Sequence, residues 1–471
     1  MVAFAATLLL FSAAAAADRH DYTITVDADL GRLTVVARFD VSTGNISARS
    51  RTAGQFLIEA HDCNSSERIR PQGRRMLPAQ SGIRCLAYSV DLTKAARAER
   101  RNESLHPANM VVSPTVWMWR PRLADDDEIF VRFLLPENVR VSVPWQTVSA
   151  DDDTYRLTSS PQSGNAIAAF GDFEFFVAPV ADTSLSITFL RSAKDVITAP
   201  IVEWIGDTAD HLVLAYGRFP NPSARVLVFP VEGSSWRGKS AVHFGRVVRD
   251  GGESVELLVD PSQPIELFYE DWTATHEFAH LMLPYVQREQ RWISEGFAQY
   301  YQNLLLARAG RYTQQYAWQK LHDGLERGRE SVPNLSPNEA ASSDERSTRM
   351  KIYWTGAALA LMADVELRRR SDGTETLDTV LDQIQRCCLP SQRTWSGAEL
   401  FAKFDSFLDE PLFLGLYQRY ADTAGFPDTD PLLERLGVVA TGQEIHLSDT
   451  AELAEIRAAL TARRYTGEPD K

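Results

Sequence analysis

Thr275-His276-Glu277-Phe278-Ala279-His280-Leu281-Met282 is the stretch on which the reading of this chain turns. On an α-helix, residues four apart lie one turn apart on the same face, so the imidazoles of His276 and His280 can meet at one metal ion. Glu277 stands beside that face, within reach of a water held there. Further along, Trp292-Ile293-Ser294-Glu295-Gly296-Phe297-Ala298-Gln299-Tyr300-Tyr301 places a carboxylate at the start of a second helical run. Taken alone, Glu295 would be an acidic residue favoured by a helix N-terminus. After two histidines four apart it becomes a third ligand, and a two-His, one-Glu set leaves the fourth position of zinc open for water, as catalysis requires.

Upstream of this segment, the helical pattern of 195–216 is followed by three strand-like runs, ARVLVFPV, AVHFGRVV and SVELLVD. Helical periodicity resumes around 273–285 and again over 294–309. Strands followed by helices that carry the chemistry predict a mixed α+β lobe. From Asp21 to Leu190 the pattern is different: short β-branched and aromatic runs such as YTITV, EIFVRFLLP and SLSITFL, separated by polar turns, predict a β-sandwich. Trp117, Trp119 and Trp145 in this region are expected in its core. Downstream of Gly310 the pattern is almost wholly helical, with a polar break over 331–344.

The chain has 471 residues, more than one ordinary core, and its 44% hydrophobic and 24% charged content is that of a folded globular protein. A formal charge of -14, with no basic cluster to override it, argues against a nucleic-acid partner. Residues 1–17 form an apolar, alanine-rich run with an Ala-x-Ala ending, the pattern of a cleaved export signal, and no later stretch could span a bilayer. Export places the protein in the periplasm or outside the cell. In that setting Cys63 and Cys85 are a reasonable disulfide, worth about 3 kcal/mol through closure of its loop. The neighbouring Cys387 and Cys388 have no metal-ligand spacing, and a bond between them, buried thiols or a bridge elsewhere all stand open.

The His-Glu-x-x-His helix followed by Trp292-x-x-Glu295-Gly296-x-x-x-Tyr300 resembles the gluzincin zinc metallopeptidases, in particular the glycyl aminopeptidase family and the aminopeptidase N and leukotriene hydrolase family. A third element, Lys351-Ile352-Tyr353-Trp354-Thr355-Gly356, is similar to the Tyr-x-Lys-Gly segment of those families, with Thr355 in place of the lysine. The resemblance implies an N-terminal β-rich domain over 18–192, a thermolysin-like catalytic lobe over 193–330, and a C-terminal helical domain over 331–471 that contributes a catalytic tyrosine. It implies one zinc ion on His276, His280 and Glu295, Glu277 as general base, and Tyr353 as a hydrogen-bond donor to the oxyanion. Peptides or proteins are the implied substrates; oligomeric state is not legible.

The same resemblance implies an edge strand that carries substrate, matched by Gly251-Gly252-Glu253-Ser254, although the carboxylate that would hold a free amine is shifted by one residue. The resemblance makes aminopeptidase action the expectation, and the shifted carboxylate is the departure that counts against it. An endopeptidase of the same mechanism is one alternative, and hydrolysis of a non-peptide substrate on the same scaffold is another. A third is a zinc-bearing envelope binding module that cleaves nothing, and the presence of Glu277 together with Tyr353 argues against it.

Overall fold

The computed structural model of the protein describes residues 18–78, 82–99, 102, 105–123, 127–149, 153–157, 166–192, 196–231, 240–391 and 393–463. The expected export signal, 1–17, lies outside the described residues. The chain is mixed α+β, with several sheets, and divides into two compact units.

The first unit comprises the chain up to Leu92 together with Thr115–Leu134 and Thr147–Leu157. Its seven-stranded sheet is centred on Arg19–Val26, which pairs parallel with Glu128–Leu134 and antiparallel with Arg32–Thr43. Along these strands every second residue is buried, from Tyr22 and Ile24 to Leu33, Val35 and Ala37, the period-2 pattern of a sheet with one face in a core. Trp117 and Trp119 are fully buried, and the Tyr22 hydroxyl donates to the Trp119 carbonyl at 3.0 Å. Cys63 and Cys85 form the expected disulfide.

The second unit holds the site. Its five-stranded sheet runs in the order Glu174–Val180, Thr183–Phe189, Ser223–Pro230, Glu253–Val259, Val242–Arg249. The two strands at 174–189, which the sequence pattern groups with the β-rich region, are hydrogen-bonded into this sheet. The interior strand ESVELLV is buried on both faces, as its lack of alternation requires. The edge strand Val242–Arg249 pairs antiparallel with it, and the register shifts between Val242 and Phe244, a bulge beside the site.

Helices cover this sheet. Ala199–Tyr216 has proline in its first turn and ends at Gly217, whose φ of 85° is left-handed and whose N–H returns to the Val213 carbonyl at 2.7 Å. Thr273–Ala279 begins where the Asp271 carboxylate accepts the Thr273 N–H at 2.7 Å, and all seven of its residues are buried. The periodicity predicts helix to Tyr285. The helix instead tightens to a 3-10 turn at His280–Met282 and stops, because Leu283 precedes Pro284 and is forced to extended backbone. The next helix, Arg291–Arg308, starts three residues before the predicted position, so Glu295 sits in its second turn.

Arg291–Arg308 crosses Arg349–Arg370 at two facing glycines. A Cβ on Gly296 would lie 2.2 Å from Gly356 Cα, and one on Gly356 would lie 2.1 Å from the Trp292 carbonyl oxygen. A buried network ties the same helices to Leu377–Cys388. Tyr300 donates to Asp364 at 3.0 Å, Tyr301 donates to Asp378 at 2.9 Å, and Arg308 and Arg368 pair with Asp378 and Asp364 at 3.1 and 2.8 Å. The polar break of 331–344 carries a short helix, Pro337–Ser342, started by a reciprocal Ser336–Glu339 cap, and a hairpin at Val438–Thr441 and Glu444–Leu447 interrupts the later helices. Cys387 and Cys388 are bonded to each other, one of the arrangements the sequence leaves open. Gly296→Ala is expected to lower the urea midpoint by the equivalent of about 1–3 kcal/mol through overpacking. The matched Gly415→Ala, at an open helical position, should be neutral or slightly stabilising.

Candidate active site

His276 and His280 project from the buried helix and its 3-10 extension towards Glu295 on the crossing helix. The Nε2 atoms of both rings lie 3.4 Å from the same Glu295 Oε2. A tetrahedral zinc with bonds of about 2.0–2.1 Å has donor atoms roughly 3.3–3.4 Å apart, so the three residues fit the ion that the resemblance implies. The arrangement also fixes ring orientation: His280 Nδ1 is 2.9 Å from Ser294 Oγ, which leaves Nε2 for the metal. His276 is held between the rings of Trp272, at 5.7 Å, and Tyr353, at 5.8 Å. Burial alone would push the Glu295 carboxyl up in pKa, but the two histidines outweigh it and hold the group well below the ordinary carboxylate range.

Glu277 is buried beside Gly245 of the edge strand. A Cβ at position 245 would lie 2.5 Å from Glu277 Cγ and 3.0 Å from the Thr273 methyl, so glycine there is what lets the strand and the metal helix approach. Tyr353, from the first turns of Arg349–Arg370, is brought over the histidines by the glycine crossing. The Glu295 carboxylate, then burial, then Glu277 raise its pKa well above that of free tyrosine, so its hydroxyl keeps its proton.

Two cavities meet at this cluster. The larger, of about 1000 Å³, is lined by His276 and by residues of Gln314–Glu330; the smaller, of about 340 Å³, is lined by His280 and Glu295. Phe244, Gly245, Glu277 and Tyr353 line both. A chain laid along the edge strand would therefore pass from one cavity to the other beside Glu277 and Tyr353.

Gly251, Gly252 and Glu253 are not brought to this junction. The strand they open lies inside the sheet, hydrogen-bonded on both sides, and the edge is one strand over, at Val242–Arg249. Gly251, with φ of 76°, and Gly252 form the turn between the two strands, and a Cβ on Gly252 would strike the Pro144 carbonyl at 1.8 Å. Glu253 is buried and paired with Arg249 at 2.9 Å. That arginine in turn donates to the His280 carbonyl at 3.0 Å, so the pair braces the metal helix from behind.

Sequence reasoning did not single out Gly245 or Arg249, and it read His211 as a structural or surface residue without partner spacing. His211 Nδ1 lies 3.3 Å from Thr275 Oγ1 on the metal helix, and burial with the nearby Arg311 pushes its pKa down to about 4, so it is neutral there. Spacing could not reveal any of them, because each acts through a residue distant in sequence.

The M61 glycyl aminopeptidase family profile matches residues 283–360, a stretch that contains Glu295 and Tyr353. Among solved structures, the chain is similar to an aminopeptidase N family protein from Idiomarina loihiensis, with a TM-score of 0.63 at 14% identity over 89% of this chain and 78% of that one. It is also similar to an M1 zinc metallopeptidase from Deinococcus radiodurans, with a TM-score of 0.50 at 13% identity over 87% of this chain and 94% of that one. No curated protein matches in sequence. The family match indicates a peptidase, a hydrolase of peptide bonds, and the structural likeness gives it the fold of the aminopeptidase N type. The chain thus resembles the gluzincins by fold and by motif. No helix among the described residues is long and apolar enough to cross a membrane.

Metal analysis of the purified protein is expected to give one equivalent of zinc, retained in Glu277→Gln. His276→Ala and Glu295→Ala should each weaken zinc binding by orders of magnitude in a chelator competition, since each removes a ligand of a three-residue set.

Proposed function

We propose that the protein is an exported zinc peptidase, acting in the periplasm or outside the cell, with one zinc ion on His276, His280 and Glu295. The observation that carries this reading is the convergence of both Nε2 atoms on one Glu295 oxygen, with Glu277 and Tyr353 at the junction of two cavities. When bound, zinc supplies a Lewis acid that polarises the scissile carbonyl and lowers the pKa of a water at its open position towards roughly 7. Glu277 takes the proton of the attacking water and delivers it to the leaving amine. Tyr353, protonated at its hydroxyl, donates a hydrogen bond to the developing oxyanion. The edge strand at Gly245 offers main-chain groups to an extended peptide. In this reading an N-terminal β-rich domain, expected over 18–192, gives up its strands at 174–189 to the sheet of the thermolysin-like lobe expected over 193–330, and the helical part expected over 331–471 supplies Tyr353.

The family match favours aminopeptidase action. One observation favours internal cleavage: past Gly245 the edge strand reads Arg246-Val247-Val248, with no carboxylate to hold a free amine, and Glu253 is taken up by Arg249. Digestion of a mixed peptide library by the zinc-loaded protein, read by mass spectrometry, decides between them. Loss of single N-terminal residues would establish an aminopeptidase and internal cuts an endopeptidase, with either activity absent in Glu277→Gln. No cleavage with zinc bound at one equivalent would sink the proposal.

Tyr353→Phe is expected to lower kcat by about a hundredfold to a thousandfold, the usual worth of one oxyanion donor, with zinc content unchanged. A variant that turns over at the wild-type rate would remove Tyr353 from the mechanism.

A further inference from the structure

The larger cavity carries charge that bond cleavage does not use. Lys320 and Arg327 face it from the helix Gln314–Glu330, Arg346 from the 3-10 turn Arg346–Thr348, and Arg349 from the start of the helix that bears Tyr353. Among its described lining residues Glu277 is the sole carboxylate. No side-chain carboxylate pairs with any of the four cations among the described residues, although Arg327 stands 5.5 Å over the Trp354 ring and Lys320 5.4 Å over Tyr316. Trp354 is itself fixed across that helix, since a Cβ on Gly324 would lie 1.9 Å from its ring.

The smaller cavity is the internal control. It too is lined by arginines, but theirs are spent: Arg246 pairs with Glu256 at 2.7 Å, Arg249 with Glu253 at 2.9 Å, and Arg288 with Asp344, while Arg291 donates to the Ala341 and Ser343 carbonyls. In a chain of formal charge -14, four cations with no carboxylate partner among the described residues, around one concavity, make a local positive field against the sign of the whole. A concave, low-dielectric wall focuses such a field on whatever occupies it.

We propose that the larger cavity selects peptides that place a carboxylate in it, either the C-terminal carboxylate of a short peptide or an Asp or Glu side chain. Lys320, Arg327, Arg346 and Arg349 supply the attraction, and the amides of Gln299, Gln302 and Asn303 on the same wall supply neutral polar contacts. The proposal rests on the peptidase reading, since it assigns specificity to that site.

The test is a set of matched peptides, each made with a free or amidated C-terminus and with Glu or Gln at successive positions. At low ionic strength kcat/KM is expected to favour the carboxylate form by about tenfold or more, and added salt should shrink the ratio. The two substitutions distinguish terminal from side-chain recognition. In Lys320→Gln/Arg327→Gln/Arg346→Gln, which leaves Arg349 beside Tyr353 in place, the ratio should fall towards one. Should that variant fail to fold, the salt dependence of the wild-type ratio decides alone. Equal kcat/KM for acidic and neutral forms at all salt concentrations would overturn the proposal and leave the peptidase reading intact. Calorimetric titration of the same peptides into Glu277→Gln gives a second readout: tighter binding of the carboxylate forms supports the proposal even if no peptide is cleaved, and equal affinity overturns it.

Discussion

Backbone-to-backbone contact at the crossing of Arg291–Arg308 and Arg349–Arg370 is the constraint on which the site depends. With Gly296 Cα against Gly356, no side chain holds the helices apart. Glu295 is the residue before one glycine, and Tyr353 lies three residues before the other. Closing the crossing therefore brings the Glu295 carboxylate and the Tyr353 hydroxyl to the same place. Interiors are packed too densely for a methyl group to be absorbed at such a point without a shift of the helices.

Around that contact, polar groups do work that apolar packing alone could not direct. Asp364 and Asp378 each receive a tyrosine hydroxyl and an arginine, so each buried charge is met by a partner of fixed geometry. These partners explain why Tyr300 and Tyr301, part of the motif that carries Glu295, face away from the metal ligands. On the opposite side, Arg249, paired with Glu253, donates to the carbonyl of His280. The helix that bears His276 is therefore held at one end by the Asp271 carboxylate, which accepts the Thr273 N–H, and at the other by a buried ion pair.

The two cavities differ in kind as well as in size. Arginines in the smaller one are held by neighbours in the fold, Arg246 and Arg249 by carboxylates and Arg291 by carbonyls; the cations of the larger one have no carboxylate partner among the described residues. Nothing in the residue types separates these roles. Arg249 and Arg349 are alike in sequence, and only the presence of Glu253 beside one of them makes the difference.

The sequence by itself singled out His276, His280, Glu295, Glu277 and Tyr353: the histidines through local helical spacing, since they share a face wherever a helix forms, and Tyr353 only through its resemblance to a known motif. It also determined the mixed α+β character, the core tryptophans and the Cys63–Cys85 bridge. Which strand forms the sheet edge was decided only in three dimensions. Gly251-Gly252 has the composition of a strand that a substrate can approach, but strand order depends on non-local pairing, and that pairing put Gly245 at the edge and Glu253 inside. The same holds for His211, for the glycine crossing and for the cations gathered around the larger cavity. Each is defined by what stands opposite it, and a chain does not carry that information at any one position.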